Sequence, residues 1–428
     1  MSPDSSAFAS LTPLEPLMDK CVHCGFCLPT CPSYLLLGQE MDSPRGRIYL
    51  MRAGIEDRVA MVPSVVHHFD TCLGCMACET ACPSGVKYAP LIEQTRAAIE
   101  SQRPRPVTER WFRRLLFSVL PYPARLRLLA VPLALAAPIR RSPALLKLLP
   151  MRLRSMLTLA PSVSLADTRR ETPELTPASG PVRTRVGLVT GCVQRAFFGD
   201  VNQATARVLA AEGCEVHAPG SQGCCGALAL HAGEDDTARA FARSLIETFE
   251  RSDVDAIAVN AAGCGSAMKE YGHLLRNDPA WAERARAFSS KVRDVTEILA
   301  ACDPPRAPRR ELKLTVAYHD ACHLAHAQGV RREPRALLAS IPGVSVVPID
   351  ESDICCGSAG IFNLVQPELA AQLGRRKADY IAKAAPDVVV TSNPGCILQI
   401  RAAAAQAGHT YRVMHIVELL DQAVSPTN

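Results

Sequence analysis

The sequence predicts an α+β chain in which a helical, cysteine-rich N-terminal part precedes a duplicated α/β unit built on parallel sheets. Three observations carry that prediction: four-cysteine runs begin at Cys21 and Cys72, strand and helix patterns alternate beyond Arg185, and the cysteine intervals of that second half repeat. At 428 residues, 48% of them hydrophobic, the chain exceeds one ordinary domain and predicts two or three units, each burying its own core. The boundaries expected are 1–105 for the cysteine-run part, 106–183 for a connector, and 184–305 and 306–428 for the two α/β copies. Eighteen cysteines would suit a short secreted scaffold, but the opening "MSPDSSAFASLTPLEP" has acidic residues and prolines where a secretory signal has a basic head and an apolar run. The cysteines are therefore expected to be reduced, cytoplasmic metal ligands.

Within the first part, "CVHCGFCLPTCP" spaces its cysteines C-x2-C-x2-C-x3-C before a proline, and "CLGCMACETACP" repeats the spacing. This is the two-cluster bacterial ferredoxin run, in which three thiolates hold one 4Fe-4S cluster and the fourth reaches across to the other. The expected sets are Cys21, Cys24, Cys27 and Cys82 for one cluster, and Cys72, Cys75, Cys78 and Cys31 for the second. Structural zinc needs only paired C-x2-C spacings, so the third cysteine and the proline favour iron–sulfur. Gly25 and Gly74 leave room for the backbone to approach a cluster, while Pro32 and Pro83 turn the chain away after the fourth ligand. Between the runs "MDSPRGRIYLMRAGI" reads as helical, which favours a helical ferredoxin over the compact two-hairpin type. Arg45 and Arg47 on this stretch are open to two readings, charges that favour the reduced clusters or a solvated basic loop. His23 is expected to be exposed or behind the ligands, and His67 and His68 have no pattern around them.

The connector changes character. From Arg110 to Ala160 there are ten Lys or Arg and no Asp or Glu, so with +5 overall the remainder is net negative. Its longest uncharged run, "LLAVPLALAAPI", is too short and too proline-broken to cross a bilayer. Basic amphipathic helices joined by proline turns suit an anionic membrane surface or a partner subunit, or pack on their own protein. No aromatic-interleaved basic motif points to nucleic acid. The Pro-, Ser- and Thr-rich "DTRRETPELTPASGPVRT" reads as an exposed linker.

In the second half Cys192 is followed after 32 positions by Cys224 with Cys225, and after a further 39 by Cys264; Cys322, Cys355 with Cys356, and Cys396 repeat this at 33 and 40. Each cysteine follows a strand pattern such as "TRVGLVTGC", "LKLTVAYHDAC" or "PDVVVTSNPGC". Parallel sheets gather ligands at the carboxyl ends of their strands, so the four thiols of each copy should converge on one edge. Adjacent residues of a strand face opposite ways, so Cys355 and Cys356 can share a centre only where the chain turns, which Gly357 permits. Each copy is open to an additional iron–sulfur centre, a redox-active thiol pair, or buried core cysteines. Cys214 and Cys302 lack counterparts and read as core. His319, His323 and His326 also lack counterparts; gating protons, lining a quinone pocket and an ordinary structural role all remain open for them.

The order of these parts, with "CVHCGFC", "PRGRIYL", "CETACPSGVKY", "GCCGA", "GCGSAMKEYG" and "CCGSAG", resembles the glycolate oxidase iron-sulfur subunits over essentially the whole chain. It resembles less closely the iron-sulfur subunits of lactate-utilisation and anaerobic glycerol-3-phosphate dehydrogenase complexes, and heterodisulfide reductase. The resemblance implies a membrane-associated oxidoreductase complex with two FAD-domain subunits, one oxidising glycolate to glyoxylate, while this chain relays electrons toward the respiratory quinone at the inner face of the cell membrane. It implies no catalytic residue here, and FAD on the partners. The alternatives it leaves are a D-lactate or glycerol-3-phosphate complex and heterodisulfide-type chemistry. Disulfide-reducing relatives carry five cysteines per "CCG" domain, and each copy here has four. That weakens disulfide chemistry and leaves room for a simpler cluster in one or both copies.

Overall fold

The computed structural model describes residues 6–102, 105–161 and 170–424; the start of the expected linker, Asp167–Arg169, lies outside them. The N-terminal unit is helical. Its central helix, Pro44–Ile55, starts on Pro44 with the Ser43 side chain accepting from the Gly46 N–H at 3.0 Å. Ile48, Leu50 and Met51 of this helix join Phe8, Phe69, Leu91 and Ile92 in an apolar cluster that also holds Cys72 and Cys78. Cys31 stands at the N-cap of helix Pro32–Leu37, so Pro32 begins a helix where the sequence pointed to a chain reversal.

Two sheets follow. The first contains β1 (Leu175–Thr176), β2 (Thr184–Val189), β3 (Cys214–His217), β4 (Ala256–Val259) and β5 (Val292–Asp294), in the order β1-β3-β2-β4-β5. The second contains β6 (Leu314–Tyr318), β7 (Val344–Val347), β8 (Val388–Thr391) and β9 (Arg412–His415), in the order β7-β6-β8-β9. Apart from β1, the two orders match strand for strand and every pair is parallel. The duplication reaches the capping boxes, with Asp294 and Glu297 opening one helix and His415 and Glu418 its counterpart.

Two expectations need correction. The linker is not wholly irregular, because Leu175 and Thr176 pair antiparallel with His217 and Val216 and cover the free edge of β3. Nor are the cores of the copies wholly separate, although the first keeps one cluster of its own around Leu245 and Phe249. Leu188 and Leu209 of the first share one cluster with Val316, Ile400 and Leu420 of the second, because helix Ile416–Ala423 packs on helix Gly199–Ala211. The connector forms helices Val107–Val119, Pro123–Leu135 and Met151–Leu159, with two short ones between, and Pro132 lies inside a helix. Among the described residues no single helix is long and apolar enough to cross a membrane.

His415 locks the seam between the copies. Its Nδ1 accepts from the Val417 N–H at 3.2 Å, so Nε2 carries the proton and donates to the Asn260 carbonyl at 2.7 Å. Burial lowers its pKa from 6.5 to about 4 despite those bonds. An unfolded chain takes up a proton here below pH 6.5 that the folded chain refuses until about pH 4, so stability is full above this window and falls as the pH drops through it. His415→Gln should flatten the dependence, and the wild type should lose up to about 3 kcal/mol relative to it across the window. Unfolding midpoints of both proteins at several pH values test this; parallel curves would refute it.

Candidate metal centres

The sharpest thiol set lies in the N-terminal unit. Cys31, Cys72, Cys75 and Cys78 line one cavity with Arg47 and Tyr88, so the fourth cysteine of the first run sits with the first three of the second. Met76, in the left-handed region, turns the chain between Cys75 and Cys78. The Gly74 N–H lies 3.4 Å from Cys72 Sγ and the Tyr88 hydroxyl 3.9 Å, while Ser33 Oγ is 3.2 Å from Cys31 Sγ. Arg47 is fully buried beside them. It donates to Ser33 Oγ and Thr71 Oγ1, both at 3.0 Å, and to the His68 carbonyl at 2.5 Å. Asp42, 3.8 Å from Arg47, is held in turn by Thr71 at 2.6 Å and His68 Nδ1 at 3.0 Å. Burial alone would raise the Cys72 thiol, but Arg47, Arg96, the Gly74 N–H and Tyr88 leave it lowered. Cys75 and Cys78 are pushed well above their ordinary value, first by burial and then by neighbouring thiols. Four converging buried thiols with one fixed cation suit a thiolate-ligated cluster, which supplies the positive charge the thiols otherwise lack.

The other set is more open. Cys24 is exposed, while Cys21, Cys27 and Cys82 are half-buried and pack on one apolar cluster. The Cys27 thiol is raised by burial and by Cys21, against the Arg45 backbone, which lowers it. Arg45 pairs with Glu40 at 2.6 Å and donates to the His23 carbonyl at 2.8 Å. His23 and His67 are exposed, and all eighteen cysteines are free thiols.

In the first α/β copy Cys192 and Cys224 lie 3.7 Å apart, and Cys264 packs on the cluster that holds Cys225. In the second, Cys322 and Cys355 are 3.9 Å apart, and Cys356 and Cys396 share one buried cluster. Gly226 and Gly357, at φ +78° and +92°, make the turn that lets both adjacent thiols face one site. The second copy also places His319 so that a ring nitrogen and the Cys356 and Cys396 sulfurs lie within 4.8 Å of one another. It abuts the N-terminal unit, where Cys75 shares an apolar cluster with Cys322 and Cys355. His326 clips the two units together, its Nδ1 within 3.0 Å of Thr80 Oγ1 and its Nε2 3.0 Å from the Asp353 carbonyl. The His323 ring lies against that of His231, a residue to which the sequence drew no attention, with centroids 4.8 Å apart and a tilt of 55°. Cys214 and Cys302 are buried in one cluster.

Residues 17–86 match the 4Fe-4S dicluster domain family, and residues 186–269 and 316–401 each match the cysteine-rich domain family. The chain is 39% identical over 416 residues to the probable glycolate oxidase iron-sulfur subunit of Bacillus subtilis, covering 94% of this chain and 93% of that one. The chain belongs to the glycolate oxidase iron-sulfur subunit family. The Escherichia coli glycolate oxidase iron-sulfur subunit is 36% identical, with coverage of 96% and 95%. Lactate utilization protein A of an Exiguobacterium strain is 31% identical but matches only 56% of this chain, with 98% of its own length. This chain thus joins a dicluster domain to two cysteine-rich domains, and 4Fe-4S clusters are the cofactors that fit the first.

Removing a buried cation beside a cluster makes an added electron less welcome. Arg47→Gln should lower the midpoint potential of one cluster by roughly 50–100 mV, Arg47→Lys by less, and Arg45→Gln should shift the other cluster weakly. Redox titration followed by EPR measures all three, and equal shifts for Arg45 and Arg47 would contradict the assignment.

Proposed function

We propose that this chain is the electron-transfer subunit of a flavin-dependent complex that oxidises glycolate to glyoxylate. The observation that carries the proposal is the buried set of Cys31, Cys72, Cys75 and Cys78, in a chain similar along its whole length to glycolate oxidase iron-sulfur subunits. The proposed units are 1–105, 106–183, 184–305 and 306–428. The proposed ligands are Cys21, Cys24, Cys27 and Cys82 for one cluster, and Cys72, Cys75, Cys78 and Cys31 for the second. When bound, the clusters accept and release electrons singly. The protein's own part is to hold the thiolates, shield one set from water and set its local charge through Arg47. Glycolate gives up two electrons and two protons to FAD on a partner subunit, and the electrons leave through this chain toward a respiratory quinone. The partial match to lactate utilization protein A makes a D-lactate complex the weaker alternative.

The complex is proposed to sit on the cytoplasmic face of the membrane. Trp111, Leu115, Leu128, Leu135 and Leu148 of the connector are exposed, in the stretch that has basic residues and no acidic ones. Replacing Leu128 and Leu135 by Asp should release the complex from anionic vesicles; unchanged co-sedimentation would remove the membrane from the proposal.

Anaerobic purification with the co-expressed flavin subunits tests the function. Glycolate should bleach the visible iron–sulfur absorbance within turnover time, and D-lactate should do so more slowly. Bleaching by neither acid would sink the proposal.

A further inference from the structure

The two cysteine-rich copies share strand order and register, yet their thiol sites have different surroundings. Val186 and Val316 pair with equivalent residues of β4 and β8, which sets Val189 opposite His319. A Cβ added at Gly226 would meet Ala238 and Phe241, and one at Gly357 would meet Ala370 and Leu373, which sets Leu245 opposite Lys377. Counting from Cys264 and Cys396, Ala261 corresponds to Asn393. The first copy therefore encloses its thiols with Val189, Leu245 and Ala261, all buried and apolar. The second has a histidine, a lysine and an asparagine in the same three places.

His319 and Asn393 lie beside sulfur, and Lys377 is a buried cation near it. His319 is 1% exposed, and neither ring nitrogen forms a hydrogen bond; the Ser352 backbone approaches the ring without the geometry of one. A buried imidazole with no hydrogen-bond partner is destabilising, a penalty that ligation removes. Its nitrogen lies within 4.8 Å of the Cys356 and Cys396 sulfurs. Asn393 Nδ2 donates to Cys396 Sγ at 3.4 Å. Lys377, 2% exposed, donates to the Glu351 carbonyl and has Cys355 and Cys356 among its charge neighbours. A buried cation is costly unless an anion faces it, and a thiolate-bound cluster is such an anion.

We propose that the second copy alone holds a further iron–sulfur centre, ligated by His319 together with Cys322, Cys355, Cys356 and Cys396, while the first copy is a metal-free scaffold. The inference rests on the electron-transfer reading and extends it. Because Cys322 and Cys355 pack against Cys75, the added centre is the next station after the cluster bound by Cys72, Cys75 and Cys78.

The test uses the full chain, purified anaerobically with its flavin partners after growth on 15N-labelled histidine. About twelve irons per chain, with a directly bound 15N coupling in pulsed EPR, is the expected result. His319→Ala should abolish that coupling and remove about four irons while leaving the two ferredoxin-type signals, whereas Cys225→Ser should leave the iron count unchanged. Eight irons in the wild type, zinc at the site, or twelve irons without 15N coupling would each overturn the proposal, and the wild-type measurement decides even if the variants do not fold. Twelve irons that glycolate cannot reduce would instead overturn the functional reading and leave this site standing.

Discussion

A thiolate can be buried only where positive charge meets it, and the architecture around Cys72 follows from that constraint. Arg47 is itself fully buried, so its guanidinium needs acceptors on every side. Ser33, Thr71, the His68 carbonyl and Asp42 supply them from three separate stretches of chain. One cation therefore fixes how helix Pro44–Ile55, the Cys31 turn and the segment before Cys72 sit together. The set around Cys24 reaches solvent, where water screens charge, and there Arg45 needs only Glu40 and a carbonyl. The two sets thus differ in dielectric surroundings although their spacing is the same.

The same constraint separates the cysteine-rich copies. Duplication gave each its patterned thiols just past the carboxyl ends of its strands, but the second also places His319 and Asn393 beside sulfur where the first has Val189 and Ala261. In the first, the Tyr271 hydroxyl donates to the Cys225 carbonyl at 2.6 Å and holds the loop, and its face toward β9 completes the core of its twin. His415 and Asn260 bind the pair at that face, so the first copy supports the second even if its own thiols stay protonated.

How much of this could be read beforehand depended on distance along the chain. The cluster motifs, the helix between them and the duplication are written in local spacing and period, and they were legible. The turn after Cys355 and Cys356 was legible for the same reason, since a glycine follows immediately. Partners far apart in sequence were not. His68 looks patternless until Asp42 comes within 3.0 Å, and His231 until its ring meets that of His323. The missing counterpart of His319 was a visible signal, but its meaning required the third dimension, where Val189 and His319 occupy one place in two related sheets. Covering of the β3 edge by β1 escaped for another reason: two residues are too few to show alternation.

The position of the second copy then follows from its contacts. A carrier with two clusters needs an entrance and an exit, and the more exposed set around Cys24 and the buried set around Cys75 are unequal candidates. Cys75 is closed off from solvent by Leu73, Phe362 and Leu373, and its neighbours across the interface are Cys322 and Cys355. An electron reaching that set has a thiol site as its nearest neighbour rather than water. The Cys24 set is therefore the more accessible end, and the Cys75 set is the end that meets the second copy. On this arrangement the His326 clip to Thr80 fixes the spacing between the Cys75 set and the thiols of the second copy.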